Sequence, residues 1–361
     1  MSILLICTTA SVAYNFRRDL INALKAKGYE VFVIIGEHKD KEKVEALDVE
    51  VFVVEAANTS INPFKKNAYK KRLEAIIKEI APETVFSFML TPAIFGTLAA
   101  KKCGVAKIFA MIEGMGRVYT FNTLKNRALK AVVNRLLKKS LKHADKVFLL
   151  NTDDVQYFKS KRLANESKLF LINGIGVNLE EFEFVPPIED DVFLLVARLI
   201  EEKGIFEFCE AADIVKQVET NARFCLLGIE DTITKEDLAK YSAVEYLGTT
   251  NDMAAEYAKC SVFVLPSFYK EGLPRSIMEA MAVGRPILTT LTNGCKDMVE
   301  DGVNGYKVPL KRADLLAEKM LYMIKNRQDN ERMGLKSRRM AKERYCVHKI
   351  NDIICGIIEK E

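Results

Sequence analysis

The stretch Pro266-Ser-Phe-Tyr-Lys-Glu271-Gly-Leu-Pro-Arg-Ser-Ile-Met-Glu279-Ala-Met-Ala-Val-Gly284-Arg-Pro-Ile-Leu288 decides how this chain reads. An apolar run, Val262–Leu265, precedes it and predicts a strand. Gly272 and Pro274 then break the chain into a loop, a helix begins near Arg275, and Gly284 with Pro286 ends that helix before a second strand. Strand, glycine-containing loop and helix N-terminus together favour an anion. The N–H groups of a first helical turn lack intrahelical acceptors, and the helix dipole is positive there. Two glutamates flank the turn. Ser276-x-x-Glu279 fits a capping box, which would give Glu279 a purely structural task. Glu271, just before the glycine, has no such use.

Outward from this stretch, the first half alternates apolar strands with helical patterns. Ile3–Cys7, Val31–Ile35, Val49–Val54, Thr84–Phe88, Lys107–Met111 and Lys146–Leu150 predict strands. Phe16–Lys27, Lys70–Glu79 and Pro92–Lys102 predict helices between them. Such alternation predicts a parallel sheet covered on both faces, with ligands beyond the C-terminal strand ends. The loops so placed are Thr8–Tyr14, Leu90–Thr91 and Glu113–Tyr119. In the first, small hydroxyl residues followed by Asn15 and Arg17 suit a sugar or a diphosphate, or else simply start a helix. In the third, Glu113-Gly114-Met-Gly116 combines a carboxylate with glycines that allow close backbone approach. Asn173-Gly-Ile-Gly-Val-Asn178 and Pro186-Pro187-Ile-Glu-Asp-Asp191 read as a hinge and linker. A second sheet starts at Val192–Val196 and continues through Phe224–Leu227, Val244–Leu247 and Val262–Leu265. Its first loop carries Arg198 and Lys203, a fork of donors and a point charge just past a strand end, suited to a diphosphate. Leu315–Ile358 is helical and densely charged.

The length of 361 residues suits two domains, each with its own core. With 49% apolar residues the composition is that of a soluble globular chain, and no apolar run is long enough to span a bilayer. Ile3–Cys7 is too short for a signal-peptide core. Eight singly scattered cysteines predict reduced thiols in a cytoplasmic protein. The net charge of +5 is modest, so its placement carries the information. It concentrates in Lys125–His143, a stretch without an acidic residue. Leu129, Val132, Val133, Leu136, Leu137 and Leu141 fall on one side, while Lys125, Arg127, Lys130, Arg135, Lys138, Lys139 and Lys142 cover much of the rest. A basic amphipathic helix is either a membrane-surface element or a core-packed helix with a solvated face. No aromatic stacking pattern or DNA-binding motif supports a nucleic-acid partner.

Glu271-Gly-Leu-Pro-Arg-Ser-Ile-Met-Glu279-Ala resembles the E-x7-E motif of the retaining glycosyltransferases of family GT4. Pro266-Ser267 before it, Gly284-Arg285-Pro286-Ile287 after it and Glu300-Asp301-Gly302-Val303-Asn304-Gly305 extend the likeness, which covers nearly the whole chain. The resemblance implies a GT-B fold: two Rossmann-like domains whose parallel sheets face an interdomain cleft. By that analogy residues 1–185 form an acceptor domain, 186–345 a donor domain, and 346–361 a helix crossing back to the first. It implies a UDP-sugar donor, with Glu271 on the donor sugar, Glu279 on the ribose, and Gly272, Leu273 and Pro274 lining the donor site. Arg198 and Lys203 would stabilise the diphosphate, and Arg17, Asn15, Glu113 and Gly114 would meet the acceptor.

Two departures matter. The Gly-rich loop that many relatives carry after the first strand is absent, and Ser87-Phe-Met-Leu-Thr-Pro92 has no histidine. No Asp-x-Asp motif appears, so no metal or other cofactor is expected. Within the family, Phe16-Arg17, Ser60-Ile-Asn-Pro63, Phe95-Gly-Thr-Leu-Ala-Ala100 and Glu113-Gly114 resemble bacterial transferases acting on undecaprenyl-diphosphate sugars, α-1,3-N-acetylgalactosaminyltransferases among them. That implies a UDP-N-acetylhexosamine donor with GalNAc favoured, a polyprenyl-diphosphate-linked acceptor, and a peripheral place on the cytoplasmic face of the inner membrane. A GT-B-fold UDP-sugar epimerase, a transferase with a soluble acceptor and a non-catalytic nucleotide-sugar binder are the other readings.

Overall fold

The computed structural model describes residues 1–55 and 63–361; Ser60–Asn62 of the resemblance lies outside the described residues. The chain divides into two compact units, one formed by Met1–Ile175 with Val347–Glu361, the other by Gly176–Cys346.

The first unit holds seven strands: β1 (Ser2–Ile6), β2 (Glu30–Ile35), β3 (Glu50–Val53), β4 (Thr84–Phe88), β5 (Lys107–Ile112), β6 (Lys146–Leu149) and β7 (Leu169–Leu171). All pair in parallel, in the order β3-β2-β1-β4-β5-β6-β7. Helices cover a parallel sheet on both faces, which is why the central strands read as continuous apolar runs rather than alternating ones. Leu4, Ile6, Phe86 and Phe88 are fully buried, and Phe86 packs its ring 5.4 Å from that of Phe148. The helix Val347–Lys360 belongs to this unit, where the carbonyl of Ile358 accepts from Lys107 Nζ at 3.0 Å.

The second unit holds β8 (Val192–Val196), β9 (Arg223–Leu227), β10 (Val244–Gly248), β11 (Val262–Leu265), β12 (Ile287–Thr290) and β13 (Gly305–Val308), parallel in the order β10-β9-β8-β11-β12-β13. The segment before the Pro186–Pro187 run packs with this unit. Arg338 Nη1 donates to the carbonyls of Phe182 at 2.7 Å and Ala282 at 2.6 Å, and the fully buried Arg285 donates to Val185 O at 2.9 Å.

Strand order reverses between β1 and β4 in one sheet and between β8 and β11 in the other. Connections leave in opposite directions at such a point, so the two loops part and a crevice opens at the strand ends. In the second unit those two loops carry Arg198 to Lys203 and Pro266 to Pro274.

Candidate active site

The helix Arg275–Val283 starts where Pro274 ends the loop. Gly284, at φ +91°, closes it in a Schellman pattern, with Arg285 N–H donating to Ala280 O and Gly284 N–H to Met281 O. The capping box allowed by Ser276-x-x-Glu279 does not form: Pro274 is the N-cap, no side chain caps the helix, and Glu279 lies beyond the first turn. Its carboxylate is instead engaged on both oxygens. Arg275 Nε donates to Oε1 at 2.7 Å and Tyr257 Oη to Oε2 at 2.9 Å. The side chain of Glu279 is only 12% exposed. Burial pushes its pKa above the ordinary carboxylate value, and Arg275 and Tyr257 offset part of that rise.

Glu271 is reached from the neighbouring loop. Lys203 Nζ donates to Glu271 Oε1, and the pair remains partly open, at 15% and 12% exposure. Ser267 Oγ lies 3.1 Å from the Glu202 carbonyl and 3.3 Å from Glu271 Oε1, so its one proton serves one or the other. Lys203 Nζ also stands 5.7 Å from the centre of the Tyr269 ring. The switch point thus joins Lys203 to Glu271. Arg198 is paired elsewhere, with its Nη1 3.1 Å from Asp231 Oδ2 on a more exposed rim. Gly272, Leu273 and Pro274, the last residues of the loop, are buried.

What holds this loop was not evident from its own residues. Thr289 Oγ1 donates to Leu265 O at 2.6 Å, Thr290 Oγ1 to Ser267 O and Thr292 Oγ1 to Tyr269 O at 3.3 Å. The adjacent strand therefore staples the loop carbonyl by carbonyl. Gly294, at φ +78°, comes so close that a Cβ there would lie 2.0 Å from Gly272 O. Gly204 is as tight, with a Cβ position 2.2 Å from Pro266 O. A run of threonines at the end of a predicted strand was the available signal for the staples, and the i, i+4 spacing of Arg275 and Glu279 for their pair. Nothing in sequence pointed to Tyr257.

In the first unit, Arg17 and Glu113 are brought together and Asn15 is not. Arg17 Nη2 donates to Glu113 Oε1, Nη1 donates to Phe16 O at 2.8 Å, and the guanidinium stands 4.2 Å from the Phe88 ring centre. The two side chains are 2% and 8% exposed. Asn15 is exposed and bonds Ser11 one turn back at 3.1 Å. The loop expected over Thr8–Tyr14 is shorter than its sequence suggests. Thr9 accepts from Val12 N–H, so the helix runs Ala10–Ala26 and puts Asn15 and Arg17 on opposite faces. Leu90–Thr91 is likewise helical, within Leu90–Cys103. Gly114, at φ +126°, and Gly116, at φ +73°, turn the chain after β5 in backbone geometry that favours glycine.

The basic stretch forms the helix Leu124–Leu141, N-capped by Thr123. Lys125, Arg127, Arg135, Lys138, Lys139 and Lys142 are exposed. Lys130 is half-buried and turns inward, donating to Phe121 O at 3.1 Å. Val132, assigned above to the apolar side, is 55% exposed, because its angle on the helix falls nearer the cationic face than Leu137 and Leu141. No helix among the described residues is long and apolar enough to cross a membrane.

Residues 178–340 match the family model described as glycosyl transferases group 1, and residues 2–151 match glycosyl transferase 4-like. The chain is 31% identical over 332 residues to N,N'-diacetylbacillosaminyl-diphospho-undecaprenol alpha-1,3-N-acetylgalactosaminyltransferase of Campylobacter jejuni, covering 87% of this chain and 86% of that one. It is 24% identical over 290 residues to UDP-Gal:alpha-D-GlcNAc-diphosphoundecaprenol alpha-1,3-galactosyltransferase of Escherichia coli, covering 74% and 72%. Among solved structures, Anabaena HepE in complex with UDP and glucose aligns over all of both chains with a TM-score of 0.81 at 17% identity, a likeness of fold.

Proposed function

This chain belongs to the group 1 glycosyl transferases, and from that premise we propose that it moves a sugar from a UDP-sugar to a polyprenyl-diphosphate-linked acceptor. The sugar is an N-acetylhexosamine, GalNAc for preference, and the anomeric configuration is retained. The observation that carries this reading is the meeting of Lys203 and Glu271 at the switch point, with the clamped Glu279 on the helix that follows the same loop.

The bond between the sugar's anomeric carbon and the β-phosphate oxygen breaks with its electron pair going to UDP, the acceptor's hydroxyl oxygen bonds that carbon, and the hydroxyl proton passes to the departing phosphate. Lys203 and the N–H groups at the start of Arg275–Val283 stabilise that developing charge, and such preorganised electrostatics supply much of the catalysis in comparable sites. Arg198 joins them by exchanging Asp231 for phosphate. Glu271 meets the donor sugar's hydroxyls on the face where positive charge develops, and Glu279 accepts from the ribose. On the acceptor side Glu113 orients a hydroxyl, and Arg17 holds Glu113 in place. The exposed cations of Leu124–Leu141 bind an anionic membrane surface, each contributing about 1 kcal/mol. No divalent metal takes part in this reading, so EDTA leaves turnover unchanged.

The test is transfer of radiolabel from UDP-GalNAc, UDP-GlcNAc and UDP-Gal into the lipid extract of bacterial membranes, with Glu271→Gln as control. Label in lipid-diphosphate sugar that disappears in the variant supports the proposal. Absence of lipid label from every donor, with UDP still bound, sinks the lipid acceptor and directs attention to soluble ones.

A further inference from the structure

Tyr257 is a buried polar residue of the second unit that the proposed chemistry leaves unused. It lies in the short helix Met253–Ala258 and is fully buried, its ring edge-on to Phe182 at 6.1 Å and to Phe263 at 5.6 Å. A phenylalanine would fill that space. A buried hydroxyl is costly unless it has a partner, and here the partner is Glu279 Oε2. Burial, followed by the charge of Glu279, pushes the Tyr257 pKa well above its ordinary value, so the group stays a proton donor.

We propose that Tyr257 is a positioning residue that sets the plane of the Glu279 carboxylate and thereby the enzyme's grip on the donor's ribose. The inference rests on the reading of Glu279 as the ribose acceptor. An ionised carboxylate offers about four lone-pair sites. Tyr257 takes one on Oε2 and Arg275 takes one on Oε1, leaving one on each oxygen for two adjacent hydroxyls. The terminal torsion of a glutamate is broad and two-fold, and a guanidinium readily engages both carboxylate oxygens at once. Without the Tyr257 hydroxyl, Glu279 turns to present both oxygens to Arg275, and the lone pairs meant for ribose are lost.

The experiment uses the full chain and two probes, UDP and 2′-deoxy-UDP, titrated calorimetrically against wild type, Tyr257→Phe, Glu279→Gln and the double variant. Tyr257→Phe is expected to weaken UDP about 10- to 100-fold while the preference for UDP over 2′-deoxy-UDP shrinks, the loss of a hydrogen bond to a charged group setting the scale. The double variant binds no more weakly than Glu279→Gln, because the two changes act through one carboxylate. In turnover, the donor KM rises with kcat nearly unchanged.

Weakened UDP binding in Glu279→Gln, with Tyr257→Phe keeping wild-type affinity and wild-type discrimination, overturns the role of Tyr257 alone. Equal UDP affinity in wild type and Glu279→Gln removes the ribose reading and the role of Tyr257 with it. The ratio between the two probes is internal to each variant, so it decides the question even if Tyr257→Phe melts at a lower temperature.

Discussion

Each unit of the chain sets a cation against a glutamate just past its strand ends, and the two pairs are built differently. Arg17 and Glu113 are sealed, with the guanidinium also donating to a carbonyl and standing over the Phe88 ring. Lys203 and Glu271 remain partly open, in a loop fastened from the side by Thr290 and Thr292. A sealed pair removes two charges from water, and losing either partner leaves the other buried and uncompensated. A pair that water still reaches in part gives up less when broken, because the charge left behind is partly solvated. Pairing of the first kind fixes one carboxylate firmly in place, whereas the second holds its two charges more loosely at the strand ends.

The sealed pair is tested most directly at Arg17. Arg17→Ala is expected to destabilise the protein by about 3–5 kcal/mol, measured by denaturant unfolding, as for other buried pairs that lose one partner. Lys203→Ala is expected to cost less, about 1–3 kcal/mol, because the Glu271 it leaves behind keeps some contact with water. Its main effect falls on turnover, lowering kcat about 100- to 1,000-fold as for other losses of a charge-stabilising donor. A Lys203→Ala protein that unfolds early and turns over normally would reverse the contrast.

Gly294→Ala tests the fastening of the loop. The added methyl overlaps Gly272 O and sits at positive φ, so a loss of about 1–3 kcal/mol is expected, with reduced kcat because Glu271 moves with Gly272. Gly302→Ala is the control, also at positive φ but with nothing within 4 Å of the added carbon. Equal damage from both would show that backbone strain, and not the close approach to Gly272, sets the effect.

The smallest effect is in pH. On the proposed reading Glu279 binds ribose as the ionised form, and burial places its pKa above the ordinary carboxylate value. As pH falls through that raised value, protonation removes an acceptor and the donor KM rises, so the acid limb lies above that of an ordinary glutamate. Arg275 and Tyr257 hold the limb down. The pH profile of donor KM checks this: Glu279→Gln flattens the limb and Tyr257→Phe moves it to higher pH.

Both parallel sheets, the helix at Arg275 and the family were legible in the chain itself. Continuous apolar runs between helical periods specify a buried parallel sheet, and Gly284 with Pro286 stops a helix wherever the tertiary structure puts it. These signals are local, carried by neighbours in sequence. The partner of each charge is not. Glu279 has equally good sequence reasons to cap its helix, and it does not, because the helix starts at Pro274 and carries Glu279 beyond the first turn, where Tyr257 from another helix and Arg275 from its own hold it. Arg17 reads as a solvated or ligand-binding arginine until β5 delivers Glu113 to it across 96 residues. Val132 fits an apolar stripe by spacing, and only the neighbours present on the packed side leave it exposed. Sequence determined the elements and the chemistry they carry. Burial and pairing depend on which strands lie side by side, and that is a property of the folded sheet order alone.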